Sequence, residues 1–183
     1  MPRVRLALFA LACAALAPAR ADDFEAFSTR GLPRSAGIDV RVSRPAHWKK
    51  VPLEDDMALA EFRGAEGRLT GILQIGRGRQ RRDMESLCRP ERARTMLQNL
   101  SAQVRDARVV EAFARPREGR PAFEISYERN EPPDFLRVRS VIVCLKDSQL
   151  LVSCGASGAV KSALAEIEPV CRRVLESLSV SEQ

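Results

Sequence analysis

Residues 136–145 read LRVRSVIVCL, and no other stretch constrains the fold of this chain as tightly. Leu136, Val138 and Ile142 fall on one parity and Val141, Val143 and Leu145 on the other. A strand here presents apolar side chains to both faces of its sheet, so it belongs inside a sheet covered on both sides. Strand patterns recur at 109–113, 122–127 and 150–154. Short turns at 116–121, 131–134 and 146–149 join them, which argues antiparallel pairing. Upstream, Ile38, Val40 and Val42 alternate with Asp39, Arg41 and Ser43, and Arg44-Pro45 ends that strand. Residues 57–62 and 69–75 read as two more strands around a turn at 64–67.

Two helical patterns are available as covers. Pro90 suits the first turn of a helix on which Ala93, Met96, Leu97, Leu100 and Val104 share a face. Near the end, Val160, Leu164, Ile167, Cys171, Val174 and Leu178 recur at steps of three and four, with Pro169 placed to kink or split the element. Three strands, a helix, four strands and a helix predict an α+β fold: one mostly antiparallel β-sheet sandwiched between helices, an α/β/α sandwich. Residues 37–180 form the single globular domain, and 22–36, with a turn at Gly31-Leu32-Pro33, read as an irregular leader.

The first 21 residues are a targeting pattern. Arg3 and Arg5 precede an unbroken apolar run over 6–16, and Ala19-Arg20-Ala21 fits a small-x-small cleavage site. The run is too short to span a bilayer, and no later run approaches that length. Residues 1–21 are therefore read as a cleaved secretory signal, and the mature chain as soluble and exported. Ala10-Leu11-Ala12 before Cys13 departs from the lipobox, which places Leu three residues before the cysteine, so no lipid anchor is expected. Charge has to be corrected for this segment. Taking Arg3, Arg5 and Arg20 from the 30 Lys and Arg leaves 27 against 24 Asp and Glu. With so small an excess, and aromatics at 5%, no nucleic-acid partner is expected.

Past the signal, four cysteines remain: Cys88, Cys144, Cys154 and Cys171. An even number in an oxidising compartment suggests two disulfides, and no two stand at zinc-ligand spacing. If Asp147-Ser148 is a two-residue turn, residue 144 lies opposite 151 and 154 opposite 141. Cys144 and Cys154 then point to opposite faces and do not pair. Cys171 sits on the apolar stripe of the last helix. This favours Cys154–Cys171 with Cys88–Cys144 and leaves Cys88–Cys154 with Cys144–Cys171 open.

The segment Gly37-Ile38-Asp39-Val40-Arg41-Val42-Ser43-Arg44-Pro45-Ala46-His47-Trp48 is a short strand running into a Pro-x-x-Trp turn. It resembles the opening of the PsbP-like and DcrB-like exported bacterial proteins. The ending is similar to theirs as well, with a late apolar hairpin and a helix finishing in Leu175-Glu176-Ser177-Leu178-Ser179-Val180. The resemblance covers most of residues 37–180. It implies an antiparallel sheet between helices and a non-catalytic module. That group takes in the extrinsic subunit of the photosynthetic oxygen-evolving complex, DcrB-type proteins, and chaperones or immunity factors of secretion systems. It carries over no catalytic set, and the cysteines match no motif in it.

Residue chemistry agrees with that implication. His47 is the single histidine, so a Ser-His-Asp or Cys-His arrangement has one possible base, placed in a Pro turn. Cys154-Gly155-Ala156-Ser157-Gly158 lacks the spacing of a nucleophile elbow, and Ser157 reads as a cap for the last helix. Neither Gly155 to Ser162 nor Gly76-Arg77-Gly78 completes a phosphate-binding loop. Glu54, Asp55 and Asp56 lack the spacing of a calcium loop and read as a solvated turn. No catalytic residue, metal or cofactor is expected. The remaining features are binding features. Arg77, Arg79, Arg81 and Arg82 crowd one loop, and arginine suits bidentate contact with carboxylate or phosphate. Trp48, beside Pro45 and His47, offers a second contact patch, with closure of one end of the core as its other reading. The chain is thus read as a periplasmic binding or accessory protein whose partner is another protein, immunity-like or envelope-associated. The alternative is a small-ligand or lipid carrier with a cleft between sheet and helix.

Overall fold

The computed structural model describes residues 23–78, 88–89, 107–130, 132 and 134–182. Among them the strands, in chain order, are β1 (Phe24–Ser28), β2 (Ile38–Pro45), β3 (Lys49–Lys50), β4 (Ala58–Glu66), β5 (Leu69–Arg77), β6 (Ala107–Ala114), β7 (Ala122–Arg129), β8 (Phe135–Cys144), β9 (Gln149–Gly158) and β10 (Ser179–Glu182). A 3-10 segment, Lys161–Ile167, leads into helix α1, Glu168–Glu176. Seven strands form one antiparallel sheet in the order β3-β4-β5-β9-β8-β7-β6.

The two-parity strand is β8, and both its faces are used. Val141 and Val143 join Leu73, Ile75, Leu150, Val152 and Cys154 in the main core, against Leu164, Ile167, Cys171 and Val174 of the C-terminal helical segments. On the opposite face Ile142 and Cys144 cluster with Phe123, Ile125 and Cys88. A helical cover is therefore seen on one face. The helix expected over 90–104 lies outside the described residues. Pro169 does split the last element: it stands in the first turn of α1, where a missing N–H costs nothing.

Both disulfides pair as the parity reasoning favours, Cys88 with Cys144 and Cys154 with Cys171. The register behind that reasoning needs correction. Cys144 lies opposite Gln149, not 151, and Cys154 opposite Arg139, not Val141. The turn sits one residue earlier, with Leu145 donating its N–H to Ser148 O at 2.9 Å. Moving a two-residue turn by one position shifts the register by two, which returns every side chain to the same face.

Three expectations change. The sequence reading put all strands in one sheet, but β1, β2 and β10 form a second, antiparallel one. Residues 22–36, read as an irregular leader, hold β1 and a 3-10 turn at Pro33–Ser35. Phe27 earns its place by packing edge-on against Phe62, with ring centroids 4.8 Å apart. Ser157 is not a helix cap. It lies in β9 opposite Thr70 and Leu136, and the 3-10 segment begins after Val160 with no side-chain cap.

The small sheet is tied through Asp39, whose carboxylate is closed off from solvent. Ser28 Oγ donates to Oδ1 at 2.5 Å and Arg41 Nε to Oδ2 at 2.9 Å, with Arg30 Nε at 3.5 Å. The Ser28 hydrogen bond, then the Arg41 bond and charge and the Arg30 charge, hold the carboxyl below its ordinary value against the opposing effect of burial. A depressed carboxyl stabilises the fold above its unfolded-state value and loses that contribution as pH falls through its folded-state value. Asp39→Asn is thus expected to cost about 1.5–3 kcal/mol at neutral pH, the worth of hydrogen bonds to a charged group. The difference from wild type should shrink once the pH drops below about 4, where the unfolded chain already carries the proton. Urea unfolding of both proteins from pH 7 to pH 3 would show it, and a constant gap would reject the linkage.

Candidate functional site

Trp48 follows a turn that its own N–H closes onto Pro45 O at 3.1 Å. Its indole lies across a cross-strand glycine pair, Gly64 of β4 opposite Gly71 of β5. Nε1 donates to Glu66 Oε1 at 2.6 Å, and His47 Nε2 stands 2.9 Å from the same oxygen. From the other side Arg44 donates to the carbonyls of Trp48 (2.5 Å) and Pro45 (3.1 Å), pairs with Glu25 and stacks on Phe62 at 4.3 Å. Trp48 is 1% exposed. It is a core residue and not a surface contact: the two glycines leave room for the indole, where a Cβ at either position would clash with it. His47 stays at the surface, its side chain 40% exposed beside Glu66.

Of the arginine-rich loop, Arg77 is described; Arg79, Arg81 and Arg82 lie outside the described residues. Arg77 ends β5 and is held rather than free. Its Nε donates to Ser148 Oγ at 3.2 Å, its guanidinium stands 3.7 Å from Asp147 Oδ1, and its N–H bonds to Met57 O at 2.8 Å. These contacts join the ends of β4 and β5 to the β8–β9 turn.

At this point lies a feature the sequence reading missed. Met57 and Leu151 are 45% and 37% exposed, although both are large and apolar. They share a cleft of about 150 Å³ floored by Ile142 and Gly76, with Asp55, Gln74, Arg77 and Gln149 around it. Leu151 lies opposite Ile142, on the face turned away from α1. An apolar floor inside a polar rim is the anatomy of a protein contact patch. The signal was present in the both-parity pattern of 150–154, which demands a cover for residue 151 as well as for 150 and 152.

The acidic run is a turn. Asp55 Oδ1 accepts the Met57 N–H at 2.8 Å, and Arg34 reaches Asp55 O at 3.2 Å and Asp56 Oδ1 at 3.7 Å. Among the described residues, no group of three His, Cys, Asp or Glu is placed to hold a metal, and no helix is long and apolar enough to cross a membrane.

No protein-family model and no curated protein matches the sequence. Solved structures do match in fold. The PsbP protein of the cyanobacterium Synechocystis sp. PCC 6803 (CyanoP) is 15% identical, covering 92% of this chain and 97% of its own, at a TM-score of 0.57. LpqN of Mycobacterium tuberculosis, involved in cell envelope biogenesis, is 10% identical over 86% and 91%, at 0.52. The Ran-binding protein Mog1p of Saccharomyces cerevisiae is 7% identical over 86% and 95%, at 0.51. The chain is similar to all three in architecture, which supports a PsbP-like fold.

Proposed function

We propose that this chain is an exported, non-catalytic binding protein that acts by docking another protein on the Met57–Leu151 cleft. The observation that carries the reading is the exposed apolar pair beside an anchored arginine, at the root of the basic run. Apolar side chains supply the buried centre of such a contact, and arginine supplies directional pairing at its rim. Arg79, Arg81 and Arg82 follow Arg77 in the sequence and add positive charge that suits an acidic partner surface. The cleavable N-terminal pattern and the two disulfides support export to the periplasm. Among the folds it resembles, LpqN is involved in cell envelope biogenesis and Mog1p is Ran-binding, which favours a scaffold for contact over one for chemistry. A small-ligand carrier is the second reading. Ligand sites usually occupy about 300–1,000 Å³; among the described residues this cleft is about 150 Å³ and another, around Arg30 to Ile38, about 230 Å³.

The test is a pull-down from the native periplasm with the mature chain tagged at its C-terminus. Wild type should retain a stoichiometric partner. Met57→Asp with Leu151→Asp should lose it, because a charge on each anchor blocks desolvation of the patch, and Arg79, Arg81 and Arg82 changed together to Ser should weaken it. Retention by the double aspartate variant would reject the cleft as the contact. No partner at all, with an organic ligand seen by native mass spectrometry, would overturn the reading in favour of the carrier.

A further inference from the structure

The two edges of the seven-stranded sheet are built differently. One edge is β3, two residues long and made of Lys49 and Lys50. A short edge strand carrying lysines is how sheets prevent unwanted strand addition. The other edge is β6, eight residues long, with no lysine or proline, and among the described residues it pairs with β7 alone. Along it Val110 is 45% and Phe113 38% exposed. Alternate backbone N–H and C=O groups of such a strand face outward, where they can template another strand.

The charges on β6 identify the strand it fits. Arg108 lies opposite Glu128 and Glu111 opposite Ser126, with a bulge between Val109 and Glu111. Because Glu128 and Ser126 are two apart on β7, Arg108 and Glu111 share one face of the sheet, although three residues separate them. We infer that β6 pairs antiparallel with β6 of a second copy of this chain, Arg108 of each facing Glu111 of the other. A two-fold axis between residues 109 and 110 makes both ion pairs at once and sets Val109 opposite Val110 across the axis. Glu111 can change partners. It is 53% exposed, and its present partner Arg139, at 3.4 Å, keeps Glu168 at 3.0 Å. This inference does not rest on the partner cleft, which involves the other strands of the sheet.

Sedimentation velocity of the mature protein over a concentration series tests it. Wild type should form a dimer with rising concentration. Arg108→Glu and Glu111→Arg should each weaken it by more than about 100-fold, because like charges then meet twice. Mixed in equal amounts, those two variants should form a one-to-one heterodimer, since opposite charges meet again at both positions. Val110→Lys, which gives β6 the protection that β3 has, should leave a monomer with an unchanged circular dichroism spectrum. A wild type that stays monomeric overturns the inference. So does a dimer that survives Val110→Lys, or single charge reversals that dimerise like wild type. A mixture that stays monomeric while wild type dimerises overturns the facing of Arg108 and Glu111.

Discussion

Trp48→Ala is expected to lower the stability of this protein by about 3–5 kcal/mol, the usual cost of emptying a buried aromatic site. The indole is 1% exposed, and its removal also strands Glu66, which loses the 2.6 Å bond from Nε1. Its seat gives the prediction a second arm. A Cβ added at Gly64 or Gly71 would stand closer than 3.0 Å to atoms of the Trp48 ring. Gly71→Ala alone should therefore cost about 1–3 kcal/mol as overpacking. With Trp48 already replaced by Ala, the same change should cost little or nothing, because the clashing partner is gone. That coupling, read from the four proteins of a double-mutant cycle by urea unfolding, is specific to the contact. Additive losses would mean that the glycines serve some purpose other than seating the ring. His47 can be varied in parallel. It touches the same Glu66 oxygen from a half-exposed position, so His47→Ala should cost no more than about 1 kcal/mol.

This slot also shows where the sequence stops being informative. The Pro-x-x-Trp turn is plain in residues 45–48, but whether its ring faces in or out depends on Gly64 standing opposite Gly71. That pairing exists only once β4 and β5 have found their register. Longer patterns do carry the fold. The apolar residues on both parities of β8 require cover on both faces, and the structure provides an apolar cluster on each. Pro169 marks the break between the 3-10 segment and α1 without any tertiary information. The second sheet was hidden because β1 and β10 are short, at five and four residues, and expose half or more of their positions. Their periodicity is too brief to separate from loop or from the end of a helix, and β2, which lies between them, is the element that makes them strands. The Met57–Leu151 cleft was hidden for a related reason. Both residues belong to patterns that read as buried strand, and exposure is decided by what lies over the far face of the sheet, not by the strands themselves.

Removing the two disulfides should have effects as large, and they bear on where the protein can function. The Cys154–Cys171 bridge closes 17 residues and the Cys88–Cys144 bridge 56. If the gain comes from restricting the unfolded chain, these loops correspond to about 3 and about 4 kcal/mol. The paired variants Cys154→Ala/Cys171→Ala and Cys88→Ala/Cys144→Ala should then melt about 6–16 °C below wild type, the second lower than the first. Alanine is the right replacement because all four sulfurs are buried and a serine hydroxyl would need a partner. Wild type treated with reductant should fall below either variant, since it loses both restraints. The reverse order of the two variants would show that native packing around Cys154, in the main core, outweighs loop closure. No change on reduction would remove the physical link between these cysteines and an oxidising compartment. A domain of ordinary stability has about 5–15 kcal/mol in hand. Losing roughly half of that in a reducing environment would leave it marginal, so on this reading the N-terminal export pattern and the two bridges are parts of one requirement. Comparing the thermal midpoint of protein recovered from the periplasm with that of the same chain expressed without residues 1–21 in the cytoplasm measures that requirement directly. Equal midpoints would separate the two features.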